Sequence, residues 1–168
     1  SRGQVPAPVA NGTGAGAPTA ERWAAGLALT RTPPVRWRRH DGRRFAVTGT
    51  PTDAVMLALA HIMKDSLPDV ILSGINRGAN LAEDVTYSGT VSAAMEGRFL
   101  GLPAIAVSLV SRDHVGVHYD SAAEAVLLLM RRLLVDPLPA DTILNVNVPD
   151  LPWHEIRGLA VTRLGRRH

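Results

Sequence analysis

The residues best suited to chemistry lie between Asp69 and Leu109, where a short apolar run leads into a loop and then a helix. The run Asp69–Ser73 (DVILS) predicts a buried strand, and the loop after it carries Asn76 and Asn80. The loop closes on Ser-Gly-Thr directly before a helical segment. Free N–H groups and the dipole at a helix N-terminus favour an anion. The stretch therefore predicts a phosphate site, and its two Asn side chains also suit a hard metal ion.

The Ser-Gly-Thr turn is the candidate phosphate cradle. Ser88 and Thr90 offer hydroxyl donors, and Gly89 offers an unhindered N–H. An ordinary helix cap is the alternative, because Ser and Thr are favoured at that position regardless of any ligand. Gly74 and Gly78 permit close backbone approach or positive φ, in a ligand loop or in a plain turn. The substrate-binding candidates are therefore Gly74, Asn80, Ser88, Gly89 and Thr90.

Asn76 and Asn80 each have a second interpretation. Asn76 can donate its side-chain oxygen to a divalent metal, or it can hold the loop by local hydrogen bonds. Asn80 can bond a substrate phosphate or the loop itself. Glu83 and Asp84 are nearby acids, and Asp84 is interpreted as a turn or cap residue. No residue is assigned a catalytic role.

Other reactive patterns are weaker. Thr52 and Asp53 resemble a catalytic pair, but a helix cap with an acid in the first turn is simpler. His114 and His118 have the spacing of a zinc pair, but Gly116 favours a loop and no HExxH glutamate accompanies them. No Gly-x-Ser-x-Gly elbow occurs, which disfavours a serine hydrolase.

Apolar runs and turn signals predict alternating strands and helices from residue 27 onward. Strands are expected at Leu27–Thr30, Val35–Arg39, Arg44–Val47, Val70–Ser73, Ala104–Leu109, Ile143–Val148 and Leu159–Arg163. Helices are expected at Thr90–Leu100 and at Ser121–Leu134. A further helix is expected to begin after Thr52, which would be its cap residue, and to end at Asp65. This order predicts an α/β fold with three layers and a mostly parallel sheet. Ligands of such sheets bind beyond the carboxyl ends of the strands, where the Ser73–Ser88 loop is expected.

Composition limits the possible classes of protein. Residues 1–26 are rich in Gly, Ala, Pro and Thr and are interpreted as a flexible arm or part of a ligand loop. Residues 27–168 are interpreted as the domain. The 168 residues contain no Cys, which excludes disulfides and is compatible with a cytoplasmic location. No apolar run approaches the ~20 residues that cross a bilayer, so no membrane partner is expected. The net charge of +3 is mild, and the basic clusters at Arg36–Arg44 and Arg163–His168 are interpreted as solvated surface, without nucleic-acid binding.

Four segments together resemble the SurE (survival protein E) family, which are metal-dependent phosphatases of nucleoside monophosphates. They are Asp69–Leu109, GTPTDAV at Gly49–Val55, LNVNVPDLP at Leu144–Pro152 and VTRLGRRH at Val161–His168. The resemblance implies a Rossmann-like fold, hydrolysis of 5′- or 3′-nucleoside monophosphates or other phosphomonoesters, and a homodimer or homotetramer. It also implies a divalent cofactor, Mg²⁺ or Mn²⁺, with Asn76 as one ligand and Thr13 in the place of the family's metal-binding Ser.

The chain departs from the family pattern at one important element. Family members begin with a strand ending in Asn-Asp-Asp-Gly, whose Asp side chains bind the metal, and this run does not occur here. The chain therefore resembles a portion of such an enzyme, incomplete at both ends. We expect it to be inactive or nearly so, and the alternative is a non-catalytic module that binds phosphate or nucleotides.

Overall fold

Two three-stranded sheets and their connecting helices form the part of the chain that the computed structural model describes, namely residues 15–18, 27–32, 34–111 and 115–166. The strands are β1 (Ala15–Pro18), β2 (Trp37–Asp41), β3 (Arg44–Val47), β4 (Ile71–Arg77), β5 (Ala104–Val110) and β6 (Leu144–Pro149). The α-helices are α1 (Pro51–Leu57), α2 (Asp84–Tyr87), α3 (Gly89–Phe99) and α4 (Tyr119–Leu133). A π-helical turn, Ala58–Ile62, continues α1, and a 3₁₀ turn, Trp153–Glu155, follows β6.

The larger of the two units is a parallel sheet in the order β4-β5-β6. Its central strand β5, AIAVSLV, is buried along nearly its whole length. A continuous apolar run of this kind is typical of a parallel strand covered on both faces. The smaller sheet has the order β1-β3-β2, with β1 parallel to β3 and β2 paired antiparallel to β3 across the expected hairpin turn.

Alternate residues of β5 face different helices. One cluster joins β5 to α4 and includes Ile105, Val107, Leu109, Ala122, Ala125 and Val126. The other joins β5 to α3 and includes Ala104, Ala106, Val91 and Ala94. Because successive side chains of a strand point to opposite faces, α3 and α4 cover opposite faces of the sheet. The expected α/β fold with helices on both sides of a parallel sheet is confirmed.

Close packing also fixes the direction of α3 along the sheet. A Cβ on Gly97, near the C-terminal end of α3, would lie 2.6 Å from Cγ1 of Ile71 at the start of β4. The helix therefore runs back along the sheet, and its N-terminus lies towards the carboxyl ends of the strands. That is the edge where open parallel sheets bind ligands.

Four expectations about local structure were wrong. Leu27–Thr30 and Leu159–Arg163 are not strands, because neither segment pairs with another strand in the part of the chain described. The cap of α1 is Thr50 rather than Thr52, and the helical segment ends at Ile62 rather than Asp65. Thr52 lies inside the first turn and is fully buried.

Candidate functional site

The expected phosphate cradle is the N-terminus of α3. Ser88 is the N-cap residue, and its Oγ accepts a hydrogen bond from Val91 N at 3.2 Å. The Ser88 carbonyl also accepts the hydroxyl of Ser92 at 2.8 Å. The first N–H groups of a helix have no intrahelical acceptor, so helix geometry leaves those of Gly89 and Thr90 pointing outward. The first turn of α3 contains no acidic residue that would occupy this positive end.

Gly89 lies against the start of α1. A Cβ at this position would be 3.0 Å from Cγ of Pro51, the first residue of α1. A larger side chain at this position would therefore clash with α1. Because glycine has no side chain, the Gly89 N–H also stays accessible. The ligand interpretation and the packing interpretation of Gly89 are thus compatible.

Asn76 is the last but one residue of β4. It is half-buried, and its Nδ2 donates to the Gly78 carbonyl at 2.9 Å. Gly78 has φ of 105°, and its N–H donates to the Leu109 carbonyl at 2.9 Å. Because the Asn76 amide nitrogen is engaged by the loop, its Oδ1 is the atom that remains for another ligand. Both interpretations of Asn76, loop bonding and oxygen ligand, are compatible with this geometry.

Gly74 lies within β4 rather than in the loop that follows it. Its φ is 132°, and a Cβ there would lie 2.4 Å from the Val107 carbonyl oxygen of β5. The pairing of β4 with β5 is irregular between Ser73 and Asn76. Glycine is required here by the close approach of a neighbouring strand, so a role of Gly74 in substrate binding remains a prediction without support from these contacts.

Asn80 is 5% exposed and is held by residues of β5 and β6. Its Nδ2 donates to Ser108 Oγ at 2.7 Å, and its backbone N–H donates to Asn147 Oδ1 at 2.9 Å. Its carbonyl accepts from Nδ2 of both Asn145 (2.9 Å) and Asn147 (3.1 Å). The structure therefore gives Asn80 a loop-holding role, and its role in substrate binding remains a prediction.

Sequence reasoning missed the residues that hold Asn80. Ser108 is paired with Asn76 on one side and with Asn147 on the other. Residues paired in this way share one face of a sheet, and Ser108 shares the face of Ala106, which packs on α3. Two signals were available: a Ser inside the apolar run of β5, and two Asn residues spaced by two along β6.

Asp53 is a buried acid at the start of α1, and it forms a capping box with Thr50. Its carboxylate accepts the Thr30 N–H (3.0 Å), the Thr30 hydroxyl (2.6 Å) and the Thr50 N–H (2.7 Å). Burial raises the pKa of Asp53, but the hydrogen bonds from Thr30 and Thr50 outweigh burial and hold the pKa below its ordinary value. Asp53 is thus an ionised structural anchor rather than the proton acceptor of a catalytic pair.

The described residues do not fit a complete divalent-cation site. No group of three or more His, Asp or Glu side chains able to hold a metal occurs within residues 27–32, 34–111 and 115–166. Asn76 Oδ1 is a suitable oxygen donor, but one neutral amide is not enough for a dication. Glu83 and Asp84 open the short helix α2, as N-cap and first residue. Thr13 and His114 lie outside the described residues, and His118 is the N-cap residue of α4.

A parallel sheet with helices on both faces, and with the N-terminus of α3 at its carboxyl edge, defines an α/β protein. The model of the family described as Survival protein SurE matches residues 14–168. The chain therefore belongs to the SurE family, and the resemblance inferred from its motifs is confirmed.

Relatives and a solved structure agree with this assignment. The 5′-nucleotidase SurE of Stenotrophomonas maltophilia (strain R551-3) is 59% identical over 152 residues, and that of Xanthomonas oryzae pv. oryzae (strain PXO99A) is 60% identical. Each alignment covers 90% of this chain and 58% of the relative, so the chain spans less than two thirds of their length. The crystal structure of the SurE protein from Aquifex aeolicus matches with a TM-score of 0.84 at 44% identity, over 90% of this chain and 61% of that one.

No helix among the described residues is both long and apolar enough to cross a bilayer.

Proposed function

We propose that this chain carries the phosphate-binding portion of a 5′-nucleotidase, a hydrolase that releases phosphate from nucleoside monophosphates. The observation that supports this most strongly is the first turn of α3, where Gly89 and Thr90 present N–H groups and no acid neutralises the helix end. The names of the relatives support the nucleotide as substrate.

The proposed contacts follow from the donors left over at the site. The N–H groups of Gly89 and Thr90 and the Thr90 hydroxyl bind the phosphate oxygens. Ser88 contributes mainly by holding the turn, because its Oγ already accepts from Val91 N. In this proposal Asn80, whose Nδ2 donates one hydrogen to Ser108 Oγ, offers its other amide hydrogen to the phosphate. Such fixed donors stabilise negative charge on a transferring phosphoryl group without reorganising.

The proposed cofactor is Mg²⁺ or Mn²⁺, with Asn76 Oδ1 as one ligand and Thr13 as a second. A divalent ion supplies a Lewis acid for phosphate hydrolysis. Because no cluster of three or more His, Asp or Glu side chains able to hold a metal occurs among the described residues, we propose that hydrolysis by the chain itself is absent or very slow. The same observation favours a second candidate function, a non-catalytic module that binds phosphate or nucleotides.

Hydrolysis of 5′-AMP and p-nitrophenyl phosphate, with and without Mn²⁺ or Mg²⁺, tests the first candidate. Asn76→Ala should abolish any metal-dependent activity, while the exposed control Ser66→Ala should retain it. If no hydrolysis occurs, AMP titration without metal tests the second candidate. Shifts of the Gly89 and Thr90 amide signals without metal would support the binding module, whereas the enzyme portion should bind weakly without the cation. A folded chain that shows no such shifts with or without Mn²⁺ would contradict both candidates.

Two further properties are part of the proposal. A nucleotide substrate fits a cytoplasmic location. A homodimer or homotetramer fits the exposed apolar side chains of α4, among them Leu127 and Leu128 at 44% and 46% exposure. Size-exclusion chromatography with light-scattering detection would test the oligomeric state, and a monomer at all protein concentrations would contradict the proposed assembly.

A further inference from the structure

A row of polar side chains crosses the parallel sheet beneath the loop that follows β4. Asn76 on β4, Ser108 on β5 and Asn147 on β6 are paired in register. The row lies on the α3 face of the sheet, where the neighbouring core is otherwise apolar. Buried polar groups in such a place are costly unless they are hydrogen-bonded, so their partners indicate what they do.

All of the hydrogen bonds that Ser108, Asn145 and Asn147 make with the loop go to one residue, Asn80. The amide of Asn147 accepts from the Asn80 N–H and donates to the Asn80 carbonyl, at 2.9 and 3.1 Å. This is the two-point contact that a neighbouring strand would make with the Asn80 backbone. The contact joins residues 67 positions apart in the chain, so it fixes the loop to the sheet rather than shaping the loop locally.

We infer that Asn147 is a positioning residue for the phosphate site, an inference that rests on the proposed function. The side chain of Asn147 holds the Asn80 peptide, and Asn80 Nδ2 donates to Ser108 Oγ. Together these contacts fix the position of the Asn80 amide, which the proposed function assigns to the phosphate. The same segment carries Gly78, whose carbonyl accepts from Asn76 Nδ2. The orientation of Asn76 Oδ1 therefore also depends on this contact.

Stability alone does not account for the arrangement. Asn145 Nδ2 supports the same Asn80 carbonyl, but Asn145 Oδ1 is buried without a partner among the residues that the structure describes. An unpaired buried acceptor costs free energy, and an apolar residue of similar size would avoid that cost. The two Asn side chains of β6 are thus better explained by the position that they give to Asn80.

Asn147→Asp keeps the shape and the acceptor but replaces the donor to the Asn80 carbonyl by a second oxygen. Because the new carboxylate would itself repel phosphate, Asn147→Leu is the neutral partner variant. It removes both hydrogen bonds to Asn80 without adding a charge, and it must weaken binding as well, or the positioning role is overturned. The readouts are the dissociation constants of inorganic phosphate and 5′-AMP, from the Gly89 and Thr90 amide signals, and hydrogen exchange at the Asn80 amide. We expect about tenfold weaker binding, which corresponds to about the net value of one lost hydrogen bond, and faster exchange at Asn80.

Val126→Ala is the control for a purely structural role, since it opens a cavity in the core between β5 and α4, away from the loop. We expect it to lower the free energy of unfolding and to leave the dissociation constants nearly unchanged. If Asn147→Asp does not fold, Ser108→Ala replaces it, because removing one hydroxyl should weaken binding through the Asn80 amide in the same direction.

The outcomes distinguish this inference from the proposed function. A wild-type chain that binds neither phosphate nor AMP would overturn both. A wild-type chain that binds, together with an Asn147→Asp variant of equal affinity, would overturn the positioning role alone. Equal losses of affinity in Asn147→Asp and Val126→Ala would also overturn it, because destabilisation would then explain the effect.

Discussion

Helices α1 and α3 begin side by side, and their first turns are built in opposite ways. In α1, Pro51 has no N–H to satisfy, and Asp53 closes a capping box with Thr50. In α3, Ser88 satisfies one N–H, and the next two residues, Gly89 and Thr90, have no acid beside them. The contact between Pro51 and Gly89 makes the two helix ends neighbours.

The two helices obtain their negative charge from different sources. The first turn of α1 contains its own anion, the buried carboxylate of Asp53, which also accepts from the N–H and hydroxyl of Thr30. The Thr50 hydroxyl donates to the nearby Ala28 carbonyl. The first turn of α3 contains none, so its partial positive charge is left for an anion from outside the chain. Four predictions test this contrast.

The largest expected effect is on stability, from Asp53→Ala. The substitution leaves buried donors of Thr30 and Thr50 without their acceptor and removes the capping box. We expect the free energy of unfolding to fall by about 3 kcal/mol, measured by urea denaturation. Asp120→Ala removes an exposed acid from the first turn of α4 and should cost less than about 1 kcal/mol. Equal losses in the two variants would contradict a special role of Asp53 in α1.

Acid should remove part of that stabilisation. The pKa of Asp53 is lower in the folded chain than in the unfolded one, because the hydrogen bonds from Thr30 and Thr50 outweigh burial. Its contribution is therefore complete above the unfolded pKa of about 3.9, and it is lost as the pH falls through the folded pKa. The difference in unfolding free energy between wild type and Asp53→Asn should be constant from about pH 7 to 5 and should shrink below about 4. A difference that grows in acid would show that Asp53 is not held ionised.

The cap of α1 also shows what sequence reasoning could and could not provide. In Gly-Thr-Pro-Thr-Asp both Thr residues are possible caps, and Thr52 was the wrong choice. The spacing of Thr50 to Asp53 and the preference of Pro for the first helical position both select Thr50. The core strands and α3 were predicted to within a few residues, because apolar runs bounded by Gly and Pro are local signals. Leu159–Arg163 failed because a strand needs a partner, which no local pattern shows.

The candidate site likewise has a part that the sequence predicts and a part that it does not. The Ser88–Thr90 turn was visible because a helix start has its own sequence pattern. The hydrogen bonds between Asn147 and Asn80 could not be predicted from the sequence, because they join residues 67 positions apart and depend on the register of three strands. Gly74 is a predicted ligand residue, but the close approach of β5 already requires glycine at that position.

Thr90→Asp should separate folding from binding at α3. An acid in the first turn favours the helix by about 0.5 kcal/mol, so the free energy of unfolding should stay equal or rise slightly. The same charge should repel phosphate and weaken AMP binding at least about tenfold. Thr90→Asn, of equal shape without the charge, is the control and should bind more tightly than the Asp variant. If the Asp variant binds AMP as well as the Asn variant does, the N-terminus of α3 is not the anion site.

The smallest effect is expected from Gly89→Ala, which changes the contact between the two helix ends. The new Cβ would lie 3.0 Å from Cγ of Pro51, so one helix start must shift by a few tenths of an ångström. We expect the free energy of unfolding to change by less than about 1 kcal/mol and AMP binding to weaken about threefold, as the donors of α3 move. Gly165→Ala, with no atom within 4 Å of the new Cβ, should change neither. Unchanged affinity in Gly89→Ala would show that the start of α1 does not set the position of the α3 donors, and the two helix ends would then be neighbours without being coupled.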